Sequence, residues 1–164
     1  MLENIKDLVR QYAGDSIINN PSIPNDRNEE AVADASHSIV SGLKGEVANG
    51  NVNGVVDLFK GGPEASQNSP VAQNIKSGFV QELVKKFGLD HGKAAGIAGS
   101  LIPAVLGKFV YKTNDPNDKS FDLQSIISNL TGGAGLNDIM GKLGGSNGTH
   151  QDGGMMDKVK GMFK

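Results

Sequence analysis

The chain has 164 residues, of which 37% are hydrophobic and 21% are charged, and its formal net charge at pH 7 is −2. It contains no cysteine, which excludes disulfide bonds, thiolate metal ligands and cysteine nucleophiles. A chain with this charge balance has no global positive field, so we expect no nucleic-acid partner.

The first predicted helix is short and amphipathic. Apolar residues stand at offsets 0, 3, 4 and 7 from Ile5 to Tyr12, a spacing that places four side chains on one helix face. Asn4 is the candidate N-cap, and Gly14 is the candidate stop. A helix of two turns is not stable alone, so this one must pack against something longer.

The second predicted helix is long and runs from about Glu29 to Ala48, where Asn49 and Gly50 end it. The offset pattern then returns from Val52 to Phe59, after the candidate cap Asn51. A polar break follows this short helix.

The next long helix has clear boundaries. Ser69 is its predicted cap, Pro70 occupies the first helical position, and Gly88 follows the last turn. Its apolar stripe indicates one buried face.

The longest predicted helix covers about residues 90–112 and is apolar almost all round. Such a helix is normally surrounded by others, so we expect it to be the hub of the fold. We expect Pro103 to bend it, and Gly96 and Gly99 to let neighbouring helices approach closely. Its charge-free run, 94–107, is shorter than the ~20 residues that span a bilayer, which favours a buried helix. The N-terminus resembles neither a signal nor a transit peptide, so we expect a cytoplasmic protein.

Three further copies of the offset pattern complete the chain. They begin at Leu123, Leu136 and Met156, and Lys160 replaces the third apolar residue of the last one. Asp122 is the candidate cap of the first of them, and Gly132 is its stop.

The predicted fold is therefore all-α, a multi-helical array or bundle around the central apolar helix, with short amphipathic helices and a glycine-rich C-terminal region. Three regions follow from the composition: an N-terminal short helix and linker at 1–27, a helical core domain at 28–131, and a glycine-rich extension with two short helices at 132–164. Ten of the 23 glycines lie in that extension.

Three stretches of the chain carry a family resemblance. They are GNVNGVVDLFKGG (50–62), SPVAQNIKSGFVQELVKKFGLD (69–90) and AAGIAGSLIPAVLGKFV (94–110). Together they resemble the YidB-like bacterial proteins of unknown function over roughly residues 28–113. The resemblance implies a multi-helical array and carries over no catalytic residues.

Two motifs suggest chemistry without the context that chemistry requires. Residues 144–148 match G-x-S-x-G but follow a predicted helix, whereas a nucleophile elbow follows a buried strand. Glu30, Asp34 and His37 share one helix face and suggest a small metal-binding protein or enzyme, but the further ligands of a helical metal site are missing. We therefore expect no catalytic residue, no cofactor and no metal.

The C-terminal extension is the predicted interaction region. Its last helix joins a methionine-rich apolar face to three lysines, a combination that suits docking on a partner groove. The candidate interaction residues are Leu136, Ile139, Met140, Leu143, Met155, Met156, Val159, Met162 and Phe163. The sequence thus predicts a non-enzymatic scaffold or interaction protein that binds itself or another protein. Association with a membrane surface through the basic last helix is the alternative.

Overall fold

The computed structural model describes residues 1–132, and in that range it contains helices and turns but no strand. The predicted all-α fold is confirmed. The helices are α1 (Leu2–Ala13), α2 (Asn28–Ala48), α3 (Val52–Lys60), α4 (Gly62–Asn68), α5 (Pro70–Phe87), α6 (His91–Thr113) and α7 (Leu123–Thr131). A π-helical turn at Gly14–Ile18 and 3-10 turns at Asn25–Arg27 and Lys119–Phe121 connect them.

Most predicted helix boundaries follow from side-chain caps and glycine stops. Ser69, Asn51 and Asp122 each accept a hydrogen bond from the backbone N–H three residues later, at 3.1, 3.2 and 3.0 Å. Gly88 and Gly132 both have φ of 64°, the left-handed conformation that ends a helix. The predicted caps at these three positions are confirmed.

The predicted start of α1 is wrong, whereas its predicted end is confirmed, because the α-helix ends at Ala13 and Gly14 follows it. The helix begins at Leu2, before the candidate cap, and the amide of Asn4 instead donates to the carbonyl of Ser120 at 2.9 Å. Gly14 has φ of −45°, so it does not adopt the left-handed conformation that was expected to end the helix. Its carbonyl accepts from the backbone N–H of Asn19 at 2.8 Å, which continues α1 into the π-helical turn.

One large hydrophobic core joins the helices, with α6 at its centre, and Val56 of α3 and Ile127 of α7 form a small second cluster. Helices α1, α3, α4 and α5 all contact α6, and ten of the 23 residues of α6 are buried. Phe109 of α6 makes edge-on ring contacts with Phe59 of α3 at 5.3 Å and with Phe121 at 5.5 Å. The prediction that this helix is the hub of the fold is therefore confirmed on its buried side.

One face of α6 departs from the prediction that helices surround it. Ala95, Gly96, Gly99, Ser100 and Ala104 are exposed, and a Cβ atom added at either glycine would meet nothing within 4 Å. These two glycines therefore do not serve helix approach. The residues of this face are small, so the sequence reads as apolar there although the face has no large side chain that burial would stabilise.

The close approach to α6 is made elsewhere, by a helix that the sequence pattern does not indicate. Helix α4 forms in the predicted polar break, and its Ser66 is buried. The hydroxyl of Ser66 donates to the carbonyls of Pro63 and Pro103. A Cβ atom on Gly107 would lie 3.2 Å from that hydroxyl, so Gly107 is the glycine of α6 that a neighbour approaches.

Helices α2 and α5 also pack closely, at Gly42. A Cβ atom there would lie 2.5 Å from Cγ1 of Ile75, whose side chain is buried. Gly45, one turn further along α2, has no atom within 4 Å of a Cβ position. Substitution of Gly42 by alanine therefore changes both helix packing and helix propensity, whereas substitution of Gly45 changes helix propensity alone.

We predict that Gly42→Ala lowers the free energy of unfolding by about 1–3 kcal/mol, the usual cost of overpacking. Gly45→Ala is the matched control and should raise it by roughly 0.5–1 kcal/mol, because alanine loses less backbone entropy in a helix. Urea unfolding of the full chain measures both. Equal stability of the two variants would show that α2 and α5 do not meet at Gly42.

Candidate functional site

The predicted interaction residues between Leu136 and Phe163 lie outside the described residues, as do the two short helices predicted there. Their role stays a prediction. The site that the structure does describe lies between α2 and α5, and it contains two of the three residues that suggested a metal.

The structure does not bring Glu30, Asp34 and His37 together as metal ligands. The carboxylate of Glu30 accepts two hydrogen bonds from the guanidinium of Arg27, at 2.9 and 3.0 Å. Asp34 is paired with Lys86, and His37 is exposed. Residues 1–132 contain no group of three or more histidine, aspartate and glutamate side chains placed to hold a metal ion.

Asp34 is the most deeply buried charged residue in this region, with 8% of its side chain exposed. Its Oδ1 accepts a hydrogen bond from Nζ of Lys86 at 2.7 Å, and that ammonium also lies 3.5 Å from Oε2 of Glu82. The hydrogen bond to Asp34 is the main reason that the pKa of Lys86 is raised. Lys86 thus places one positive charge between two carboxylates.

A cleft of about 430 Å³ opens beside this ion pair. The α2 wall consists of residues at helical spacing, and so does the α5 wall, because each helix turns one face to the cleft. The lining residues are Asp34, His37, Ser38, Ser41, Gly42, Asn74, Ile75, Gly78, Glu82 and Lys86. The cleft is therefore charged at the Asp34 end and lined by small and hydroxyl side chains further along.

At the other end of the cleft, Glu46 of α2 is hydrogen-bonded to the lining residue Asn74 of α5. Its two carboxylate oxygens accept hydrogen bonds from the side-chain amides of Asn51 and Asn74, each at 2.5 Å. The bond from Asn51, followed by that from Asn74, holds the pKa of Glu46 below its usual value. A carboxylate thus ties α2 to α5 at both ends of the cleft.

A larger groove of about 710 Å³ lies between α1, the π-helical turn and the exposed face of α6. Gly96 and Ala104 contribute to its floor, and Tyr12, Asp15 and Lys93 stand around it. The two charged residues of this groove, Asp15 and Lys93, are both exposed. The α2–α5 cleft is the better candidate site because it contains a buried charge, which is costly unless it is paired.

Among residues 1–132, α6 is the one helix whose length and apolarity would let it cross a membrane, and half of its most apolar window is buried in the bundle. The core helix of a bundle meets the same criteria.

The described residues define an all-α helical bundle with a polar cleft between two of its helices. A scan of family models, a search of the curated proteins and a search of the solved structures each found no match to the chain. The resemblance to the YidB-like proteins stays a prediction from the sequence.

Glu46 gives the site a predicted pH dependence. Because its folded pKa is lowered, Glu46 stabilises the fold above its usual value of 4.5, and this contribution is lost as the pH falls through the folded pKa. We expect Glu46→Gln to be less stable than the wild type at pH 7, with a gap that narrows towards pH 3.

Urea unfolding over this pH range measures the gap. Glu64→Gln, at an exposed position on α4, corrects for the removal of one negative charge from the chain. A gap between wild type and Glu46→Gln that stays constant with pH would contradict the role of the two asparagine amides.

Proposed function

We propose that this protein is a non-enzymatic helical scaffold that associates with a second copy of itself through the short amphipathic helices predicted after Gly132. The proposal rests on what the same sequence pattern does in the part of the chain that the structure describes. Three of the five copies of the 0-3-4-7 pattern lie there, in α1, α3 and α7.

All three copies use the pattern to attach a short helix to the bundle. In each of them, three of the four apolar positions are buried. The buried residues are Ile5, Leu8 and Val9 in α1, Val55, Val56 and Phe59 in α3, and Ile126, Ile127 and Leu130 in α7. The pattern therefore marks a helix that is stabilised by burying its apolar stripe against neighbouring helices, which for Val56 of α3 and Ile127 of α7 are each other.

The described bundle exposes few large apolar side chains on which two further stripes could pack, and the open face of α6 carries only small residues. Its exposed large hydrophobic residues are Tyr12, Ile18 and Tyr111, while the stripes of α2, α5 and α6 already face the common core. This is the observation that carries the proposal. Stripes that find no site on their own bundle bury against another chain, and a second copy supplies an identical pair of stripes.

Self-association is tested on the full chain by adding charge to the two stripes. We predict that the wild type gains mass with concentration in light scattering, and that the double variant Ile139→Asp/Val159→Asp keeps the mass of one chain. A buried carboxylate without a partner is costly, so each substitution opposes burial of its stripe.

The control is Asn137→Asp/Gln151→Asp, which adds the same charge outside the stripes and should associate like the wild type. A wild type with the mass of one chain over a hundredfold concentration range would contradict the proposal. So would equal loss of association in the double variant and the control, because charge alone would then explain it.

A further inference from the structure

The α2–α5 cleft contains a buried acceptor that the described residues do not satisfy. Asp34 Oδ2 is buried and accepts no hydrogen bond from residues 1–132, although Oδ1 of the same carboxylate is paired with Lys86. Buried polar atoms are almost always paired, because an unpaired one loses its hydration without compensation. Because Asp34 lines the cleft, its unpaired oxygen makes this end of the cleft a candidate position for a bound donor.

The present partner of Asp34 is poorly matched to its carboxylate. An ammonium is a compact point charge on a flexible stem, and Lys86 is 44% exposed. Its Nζ lies between Oδ1 of Asp34 and the carboxylate of Glu82, so one oxygen of Asp34 stays unpaired. A guanidinium has five donors in a planar fork and pairs with both oxygens of a carboxylate at once.

The structure contains one guanidinium near this site, but it is already engaged. Arg27 donates to both oxygens of Glu30 and to the backbone carbonyl of Lys86, and its guanidinium stacks 4.2 Å from the ring centre of Phe87. These contacts hold Arg27 outside the cleft. Arg10 is likewise paired with Glu29, so neither guanidinium within residues 1–132 is placed to pair with Asp34.

We propose that the α2–α5 cleft binds a guanidinium group, which displaces the ammonium of Lys86 and pairs with Asp34 and Glu82. In the unbound protein the ammonium of Lys86 occupies the position next to Asp34 that the guanidinium of the ligand takes on binding. Its side chain is long and partly exposed, so it can leave the cleft without a change in the helices.

The rest of the cleft suits a ligand of the size of an arginine. Ser38 and Ser41 line it with hydroxyls, and Gly78 adds no side chain to the opposite wall. Residues 34 and 41 lie about 10 Å apart along α2, at 1.5 Å per residue. The ligand thus has a charged anchor at one end and hydrogen-bonding groups beside its stem.

The test titrates the full-length protein with two guanidinium ligands while backbone amide shifts are recorded by NMR. L-arginine represents a free ligand, and N-acetyl-L-arginine methylamide represents an arginine side chain in a peptide. We expect saturable shifts at Asp34, Ser38, Gly78 and Glu82. The ligand that binds more tightly shows which source of the guanidinium the cleft accepts. The citrulline analogues, which have the same shape without the charge, should give no saturable shift.

Three variants locate the binding group by the change in affinity. Asp34→Asn should weaken binding about tenfold, because a charge-assisted hydrogen bond is lost. Glu82→Gln should weaken it roughly threefold, and Lys86→Gln should tighten it, because the internal competitor is gone. Lys85→Gln, at the exposed neighbouring position, should bind like the wild type.

Circular dichroism checks that each variant is folded. If Asp34→Asn unfolds, Glu82→Gln and Lys86→Gln decide the question, because both substitutions lie on partly or fully exposed positions. The proposal is overturned if neither ligand gives saturable shifts in the wild type. It is also overturned if citrulline binds equally well, or if Lys86→Gln leaves the affinity unchanged.

Discussion

Helices of nine residues form too few internal hydrogen bonds to be stable in water, and α3 and α7 have that length. Their stability must come from the surface on which they lie. Full burial of an aliphatic or aromatic side chain contributes about 1.5–3 kcal/mol. Three such side chains in a short helix therefore outweigh its weak propensity, provided that a long apolar helix is available to receive them.

Helix α6 is the centre of that receiving surface. It contacts α1, α3, α4 and α5, and its Phe109 lies between the rings of Phe59 and Phe121. Phe109 thus links α3 and the 3-10 turn before α7 to the core, whereas α7 itself packs against α2. The offset pattern and the central helix are thus two parts of one arrangement, and the proposed self-association extends it from one chain to two.

The pairing of α2 with α5 follows a different principle. Close apolar contact occurs at Gly42 and Ile75, while carboxylate contacts lie towards the two ends, from Asp34 to Lys86 and from Glu46 to Asn74. The central contact fixes the separation of the helices. The polar contacts define the ends of a cleft with stable walls, which a binding site requires.

Periodicity and caps were sufficient to predict α2, α5 and α6 to within about two residues, because each has a long stripe and a clear stop. They failed for α4, whose sequence GPEASQN has no stripe. That helix depends on contacts with α6, including the hydrogen bond from Ser66 to a carbonyl 37 residues away. Such long-range partners leave no periodic signal.

The candidate site was only half predictable for the same reason. The spacing of Asp34 and His37 on one helix suggested a metal site. The partner of Asp34 in the structure is Lys86, which lies 52 residues later on another helix. The prediction that helices surround α6 was wrong on its exposed face. Gly96 and Gly99 interrupt no apolar pattern in the sequence, but they have no side chain whose burial would stabilise a contact. Spacing within one helix identifies a face, but it does not identify the residue opposite that face.

Hydrogen exchange of the backbone amides in the full chain tests the central claim most directly, namely that the short helices are stable only as parts of the bundle. The account predicts that the most protected amides of α1 and α3 exchange with the same opening free energy as those of α6, because all three are lost in one unfolding event. Much faster exchange in α1 and α3 than in α6 would contradict it. The short helices would then unfold independently of α6, and burial of their apolar stripes against the bundle would not be the main source of their stability.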